Sequence, residues 1–369
     1  MSRPVAFDAD VVIIGLGIHG AAAAYEMAAR GVSVVAIEQF APAHTRGSSH
    51  GATRMIRRAY PNPVWNPLVE RAFAGWERWS AASSTPFVHT TGGLYAHERA
   101  GALQGPDCEV VDESRFRALM PSLAVPEGYS AVYDPHAGVV EAELALTFAL
   151  SEATRLGADL RFGVALESWH ESPYGVVVET DAGPLRASRL VLAPGPWVAG
   201  VVPELADFIE VWRILTVTAS TGQPDAAPPG LGSFSVDLPE GLVFGLPEAG
   251  GHGLKLGVDA GLVWDPSVAP VPPSEREVRH LHELLERFVP TADLSSLDPV
   301  ACLYTMTPDK RFIVGVLPWA PSVVVVSACS GHGFKFGPAI GEAVADLVQG
   351  FTRADLDFLA VDRFVATSA

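Results

Sequence analysis

Asp10-Val-Val-Ile-Ile-Gly15-Leu-Gly17-Ile-His-Gly20 is the stretch that decides the fold. From Asp10 to Gly15 it is almost wholly apolar, which predicts a parallel strand buried on both faces. Gly15, Gly17 and Gly20 match the G-x-G-x-x-G pattern. Alone that match is weak. Here it follows a strand and opens an Ala-rich helical segment, Gly17 to Arg30, which Gly31 can end. A second apolar strand, Val32 to Glu38, closes on an acidic residue. In that context the pattern marks a dinucleotide site. Gly15 permits a tight turn, Gly17 lets backbone approach a pyrophosphate, and Gly20 lets helix and strand pack closely. The helix N-terminus offers N–H groups and partial positive charge to phosphates. Glu38 can accept both ribose hydroxyls, which disfavours a 2′-phosphate.

The stretch from Ala41 to Pro63 is polar, Gly-containing and basic, and reads as a long functional loop. A helix is expected from about Pro67 to Ala81, and strands at Gly92–Ala96 and Ser130–Asp134. Glu141 to Leu156 reads as a helix stopped by Gly157. Val176–Thr180 and Arg189–Ala193 bracket a turn at Asp181–Gly183 and predict a hairpin. Residues 221–273 are rich in Pro and Gly with short β-like runs, as in an antiparallel sheet. Ser274 and Glu277 form a capping box before a helix whose apolar side is Val278, Leu281, Leu285 and Phe288. The end returns to strand (Val323–Ser327), Gly-rich turn, and helix (Pro338–Val348). The expected fold is therefore α/β (α+β overall). A Rossmann-type nucleotide lobe (residues 1–85, 140–205 and 301–369) carries an inserted antiparallel-sheet substrate lobe (86–139 and 206–300).

Bulk composition narrows the function. The 369 residues are 49% hydrophobic and 18% charged, so a folded core is expected. Lys plus Arg is 25 against 42 Asp plus Glu, a net charge of −17, which makes nucleic acid a poor partner. Cys108, Cys302 and Cys329 are odd in number and widely spaced, so neither a disulfide framework nor a metal site is expected, and a reducing cytoplasm is. No basic segment precedes the first strand, and runs such as Val323–Ala328 are too short to span a bilayer.

The glycine pattern does not separate NAD from FAD. Two features favour FAD. Leu190-Val-Leu-Ala-Pro-Gly195 is a strand ending in a Gly turn that can return backbone to the same cofactor. Gly331-His-Gly333 lies between a strand and the last helix, so a second helix N-terminus can face a flavin.

Beyond these features the chain resembles the monomeric sarcosine oxidase and N-methyltryptophan oxidase family of covalent flavoproteins. The marks are the N-terminal glycines, His50-Gly-Ala-Thr-Arg54-Met-Ile-Arg57, Gly253-Leu-Lys255-Leu-Gly257, Ala301-Cys302-Leu-Tyr304-Thr305 and Gly331-His-Gly-Phe-Lys335-Phe. The resemblance implies FAD attached through Cys302, a small amino-acid substrate, hydrogen peroxide from O₂, and a monomer. It implies that Arg57 and Lys335 bind the substrate carboxylate and that Lys255 activates oxygen. Arg54 and His50 would lie near the flavin ring, and Tyr304 would line the pocket. Departures are expected to matter: Asp259 stands where sarcosine oxidases have a substrate-contacting histidine, and Phe244 replaces a pocket tyrosine. Ala52 and Met306 replace an aspartate and a lysine near the flavin. The reaction expected is hydride transfer from a secondary amino acid, N-methyl or cyclic, giving an imine. The alternatives are a flavin dehydrogenase or biosynthetic imine-forming enzyme acting on another carboxylate-bearing amine, such as pipecolate or a sugar-amine adduct. A nicotinamide enzyme and a non-catalytic flavin-holding protein also stay open.

Overall fold

The computed structural model describes residues 7–98, 103–219, 228 and 230–364. The chain divides into two compact units: Met1–His50, Glu143–Val211 and Tyr304–Ala369 form the first, Gly51–Ala142 and Trp212–Leu303 the second.

The first unit is built on five parallel strands in the order Asp159–Phe162, Val34–Glu38, Ala9–Ile14, Leu185–Leu192 and Ala320–Ser327. The central strands are apolar on both faces and buried throughout their middles, as the run from Asp10 to Gly15 requires. Gly175–Thr180 and Leu185–Leu192 form the expected antiparallel hairpin, and Ile313–Leu317 folds back on Ala320–Ser327. Helices Ile18–Ala29 and Gly337–Val348 pack closely because small residues meet: a Cβ on Gly341 would lie 2.7 Å from Ala22. The strand–turn–helix signals at both ends of the sequence are thus realised.

The second unit holds a nine-stranded sheet. Along its main path, Leu262–Val263, Glu210–Ala219, Leu254–Asp259, Gly241–Leu246, Ser233–Leu238, Gly93–His97, Ser130–Asp134 and Glu109–Val111 lie side by side. Leu297–Met306 joins at Glu210–Ala219. Neighbours on the path are antiparallel, apart from the parallel pair Gly93–His97 and Ser233–Leu238. Residues 220–227 and 229 of the Pro/Gly-rich stretch lie outside the described residues.

Alternation sorts the two faces of this sheet. Leu94, Val217, Phe234, Val236, Val243 and Leu256 pack against Leu281, Leu284, Leu285 and Phe288 of the Glu275–Phe288 helix. That helix opens on the capping box read from Ser274 and Glu277. The register puts Thr216, Thr218, Lys255, Gly257, Asp259, Phe244, Ser235 and Tyr95 on the opposite face.

The long loop expected over Ala41–Pro63 contains a strand, Thr53–Ile56, paired antiparallel with Gly138–Glu141. Four residues without two-residue alternation give no local strand signal, and the partner lies far along the chain. This pairing draws residues 51–85 into the second unit, where composition had placed them with the nucleotide lobe. Ala142 N donates to Ala52 O and Glu141 N to Phe87 O, which seals the join.

Candidate active site

In the first unit the Gly15–Gly20 turn forms a cradle. Gly15 has φ +91° and its N–H donates to Ile37 O at 2.8 Å. A Cβ on Gly15 would strike Ala193 O, and one on Gly20 would strike Gly15 O. Both contacts are with backbone that cannot yield. At Gly17, the space a Cβ would take is bounded by Ser49 Oγ at 3.1 Å, and that hydroxyl accepts from Ile18 N at 3.1 Å. Gly195, φ +58°, follows the backbone bond Ala193 N to Ile14 O (2.8 Å), so the second turn does return to the end of the first strand.

Glu38 is buried. Its Oε2 accepts from Leu16 N (3.0 Å), its Oε1 from Phe40 N (3.1 Å), and His44 Nε2 stands 3.6 Å from Oε1. Burial alone would push this carboxyl up, but His44 and the two N–H donors outweigh it and hold the group below the usual range. A carboxylate therefore faces the helix start, as ribose recognition needs. These features fit FAD: a helix N-terminus opened by glycines and touched by the small Ser49 hydroxyl, a glycine cradle and a charged acceptor at the second strand.

The structure adds His19, which carries no signal at an x position of the motif. Its Nε2 donates to Ala328 O at 2.8 Å, tying the Gly15–Gly20 turn to the end of the Ala320–Ser327 strand. Burial lowers its pKa to about 4, so it is a neutral ring. Beyond that strand, Ser330 (φ +42°) and Gly331 (φ +79°) make a tight turn, and Gly333 leaves room for Ala328 O. Lys335 is 5% exposed, and its ammonium donates to His332 O at 2.7 Å. Its stem is buried between Phe334 and Phe336 in the sequence, both buried as well. His50 is buried at the end of the unit's first segment, and Tyr304 is half-buried at the start of its last.

In the second unit two cations meet on one carbonyl. Arg54 Nη1 donates to Thr53 O at 2.8 Å and Lys255 Nζ to the same oxygen at 3.3 Å. Gly51, φ +95°, leaves this corner open: a Cβ there would lie 3.3 Å from Arg54 Nη1 and 3.9 Å from Lys255 Nζ. Cys302 is buried, with the charges of Arg54 and Lys255 acting on its thiol. Burial pushes the thiol up more than the cations pull it down. Its surroundings are electropositive, and the resting group is the thiol rather than the thiolate. The boundary between units falls at Leu303/Tyr304, so Cys302 belongs to the second unit and not to the 301–369 segment of the nucleotide lobe.

Arg57 is held differently from every other cation named here. Its Cζ lies 5.0 Å from the Tyr60 ring and 5.1 Å from the Tyr95 ring. Among the described residues its guanidinium has no carboxylate partner and no side-chain hydrogen bond. Arg58, by contrast, is engaged by Asp107 at 3.0 Å and Glu70 at 3.3 Å. On the same sheet face the Phe244 ring covers Gly257, where a Cβ would lie 2.5 Å from Cζ. Asp259 stands two residues beyond Gly257, half-buried, on the side of the strand that carries Lys255. Arg54, Arg57, Phe244, Lys255, Asp259 and Cys302 thus share the second unit, while Gly15, Gly17, Gly20, Glu38, His50, Gly195, Tyr304, Gly331, Gly333 and Lys335 belong to the first. Tyr60, Tyr95 and Asp134 were not anticipated; a tyrosine alternating toward the Lys255 face was the available signal.

Among the described residues no cluster of His, Cys, Asp or Glu could hold a metal, and no helix is long and apolar enough to cross a membrane. The profile of the FAD dependent oxidoreductase family matches residues 10–347. Monomeric sarcosine oxidase of Streptomyces avermitilis is 31% identical over 94% of this chain and 94% of its own. N-methyl-L-tryptophan oxidase of Yersinia pestis is 31% identical over 93% and 95%. Among solved structures, NikD, an amino acid oxidase essential for nikkomycin biosynthesis, superposes with a TM-score of 0.83 at 23% identity, covering 96% of this chain and 98% of its own. L-proline dehydrogenase from P. horikoshii gives 0.80 at 20%, covering 98% of both chains. The chain spans nearly the full length of its curated relatives, carries the glycine cradle and acidic strand end that FAD requires, and belongs to the FAD-dependent oxidoreductase family, with monomeric sarcosine oxidase and N-methyl-L-tryptophan oxidase among its relatives.

Proposed function

We propose that this enzyme oxidises a secondary amino acid, N-methylated or cyclic, at the carbon bonded to nitrogen, and passes the electrons to O₂ to give hydrogen peroxide. The observation that carries this reading is Arg57: a guanidinium steadied between two aromatic rings, with its N–H fork uncommitted among the described residues. A planar fork of that kind matches a carboxylate in bidentate fashion. On the resemblance, Lys335 is assigned to the same carboxylate.

FAD, when bound, supplies the hydride acceptor and returns the electrons to oxygen. The protein's part is binding, orientation and charge. Arg57 takes the carboxylate and so fixes the α-carbon. Phe244 supplies an apolar wall on the sheet face that carries Lys255 and Asp259. Asp259 is a carboxylate partner for the substrate amine, and a tyrosine-to-phenylalanine exchange at position 244 removes a hydroxyl that would compete for it. Lys255 and Arg54, aimed together by Thr53 O, hold positive charge where negative charge develops during oxygen reduction. Cys302 is the proposed attachment point for the flavin, and nearby Arg54 and Lys255 favour the thiolate that attachment needs. The odd number and wide spacing of the cysteines support a reducing cytoplasmic setting, and the relatives' name supports a monomer.

The test is a panel of sarcosine, pipecolate, N-methylated larger amino acids, a sugar-amine adduct and their primary counterparts. Each is scored by anaerobic loss of flavin colour and then by peroxide formed per turnover in air. Bleaching by secondary amino acids with one peroxide per turnover is expected. Bleaching without peroxide would give the enzyme a different electron acceptor, and no bleaching by any carboxylate-bearing amine would end the reading.

A further inference from the structure

We infer that Tyr60 and Tyr95 are positioning residues that hold the Arg57 guanidinium in its anion-gripping plane, and that Asp134 is the anchor of the loop carrying it. The inference rests on the assignment of Arg57 to a substrate carboxylate. Arg57 directly follows the Thr53–Ile56 strand, where the chain leaves its sheet. Asp134 is fully buried at the end of the Ser130–Asp134 strand. Its Oδ2 accepts from the N–H groups of Arg58 and Ala59, and its Oδ1 from His136 N at 3.0 Å. A buried carboxylate spent wholly on backbone donors fixes the path of the two residues after Arg57. Tyr60 is locked next: its N–H donates to Gln104 O at 2.8 Å and its carbonyl accepts from Gln104 N at 2.9 Å. Its ring is stacked on Trp65 at 5.0 Å between centroids.

Tyr95 comes from a separate strand. It is 0% exposed, and the register places it beside Ser235 and Val132 on the sheet face that carries Lys255 and Asp259. The two rings meet the guanidinium at nearly equal distances, 5.0 and 5.1 Å. An arginine free in solvent loses much rotamer freedom when it grips an anion. One already stacked on two π-faces has lost it beforehand, so more of the binding energy appears as affinity. The Tyr95 hydroxyl takes no part in this. It is buried against Gly93 and Ala137 with no hydrogen-bond partner among the described residues, so the ring acts without it.

The test uses the flavin-loaded enzyme titrated with cyclopentanecarboxylate and, separately, with the neutral cyclopentanecarboxamide, followed by perturbation of the flavin spectrum. Wild type is expected to prefer the acid. Tyr95→Leu and Tyr60→Leu should each weaken the acid about tenfold and leave the amide unchanged. Tyr95→Phe should keep wild-type discrimination. Two leucine variants are used so that misfolding of one leaves the other informative. If wild type binds acid and amide alike, the carboxylate assignment of Arg57 itself is wrong. If wild type discriminates and the folded leucine variants discriminate equally well, or lose acid and amide together, the positioning role is overturned while the assignment stands.

Discussion

Arg57→Ala and Arg58→Ala make a matched pair, because adjacent arginines sit in opposite circumstances. Arg58 is spent on Asp107 and Glu70, both well exposed. Exposed pairs of that kind contribute about 0–1 kcal/mol. Removing Arg58, whose Cζ also lies 4.9 Å from the Phe73 ring, should cost about 1–2 kcal/mol of stability and no substrate affinity. Among the described residues, Arg57 is held by its two ring contacts. Each contributes about 0.5–1 kcal/mol, so its loss should lower stability by roughly 1–2 kcal/mol. A bound carboxylate changes the comparison. Hydrogen bonds to charged groups contribute about 1.5–3 kcal/mol each, and a two-bond fork that is partly solvated when empty should be worth about 3–4 kcal/mol. At 1.4 kcal/mol per decade that is roughly a 10²- to 10³-fold loss in kcat/KM. The assay is anaerobic flavin bleaching by a secondary amino acid over a range of concentrations, with thermal unfolding measured in parallel. The expected pattern is a large loss in the substrate steps for Arg57→Ala and near-wild-type substrate kinetics for Arg58→Ala, with similar small losses of stability in both. Loss of kcat/KM within threefold for Arg57→Ala, or equal losses of kcat/KM for both variants, would refute the reasoning.

Other outcomes follow from the same geometry. Lys255→Met should slow flavin reoxidation by O₂ about 10²-fold or more while leaving anaerobic reduction nearly unchanged, measured by stopped-flow absorbance; equal effects on both halves would remove its assigned role. Acid precipitation should carry flavin down with wild-type protein and release it from Cys302→Ser, and release from wild type would exclude the thioether. Gly20→Ala should abolish FAD retention, since the added methyl meets a backbone carbonyl that packing cannot move; normal flavin content per chain would contradict this. Glu277, pushed down to about 2 by its hydrogen bond to buried Arg213 and by those from Ser274, has a folded pKa below its unfolded value. Its stabilising contribution is therefore complete above the ordinary glutamate range and is lost as pH falls from about 4.5 toward 2. Glu277→Gln should flatten the acid limb of urea-unfolding stability over that window, and an unchanged slope would argue against the pair.

How much could be read in advance differs between the two units. Gly15, Gly17, Gly20 and Glu38 declared their roles because the nucleotide turn is local: one strand, one turn, one helix and the next strand carry all of it. Lys255 and Cys302 could be named only through the family pattern. Alternation alone would have sent Lys255 to solvent, whereas its ammonium reaches back to Thr53 O, a residue on a strand that the loop-like composition of Ala41–Pro63 concealed. The same concealed strand moved residues 51–85 into the second unit. The state of the Cys302 thiol could not be read in advance, because desolvation depends on three-dimensional burial, and burial outweighs the two cations beside it.

The chain's own periodicities were enough to establish a nucleotide turn, an antiparallel second unit and the capped helix at Ser274, because each depends on neighbours within a few residues. The tertiary structure alone decided which side chains meet. Strand register put Lys255, Asp259, Phe244 and Tyr95 on one face, and the buried Asp134 carboxylate set the backbone from which Arg57 reaches between two rings. Those meetings join residues far apart in the chain. Their free energy comes from burial and hydrogen bonding that no local pattern of residue types encodes.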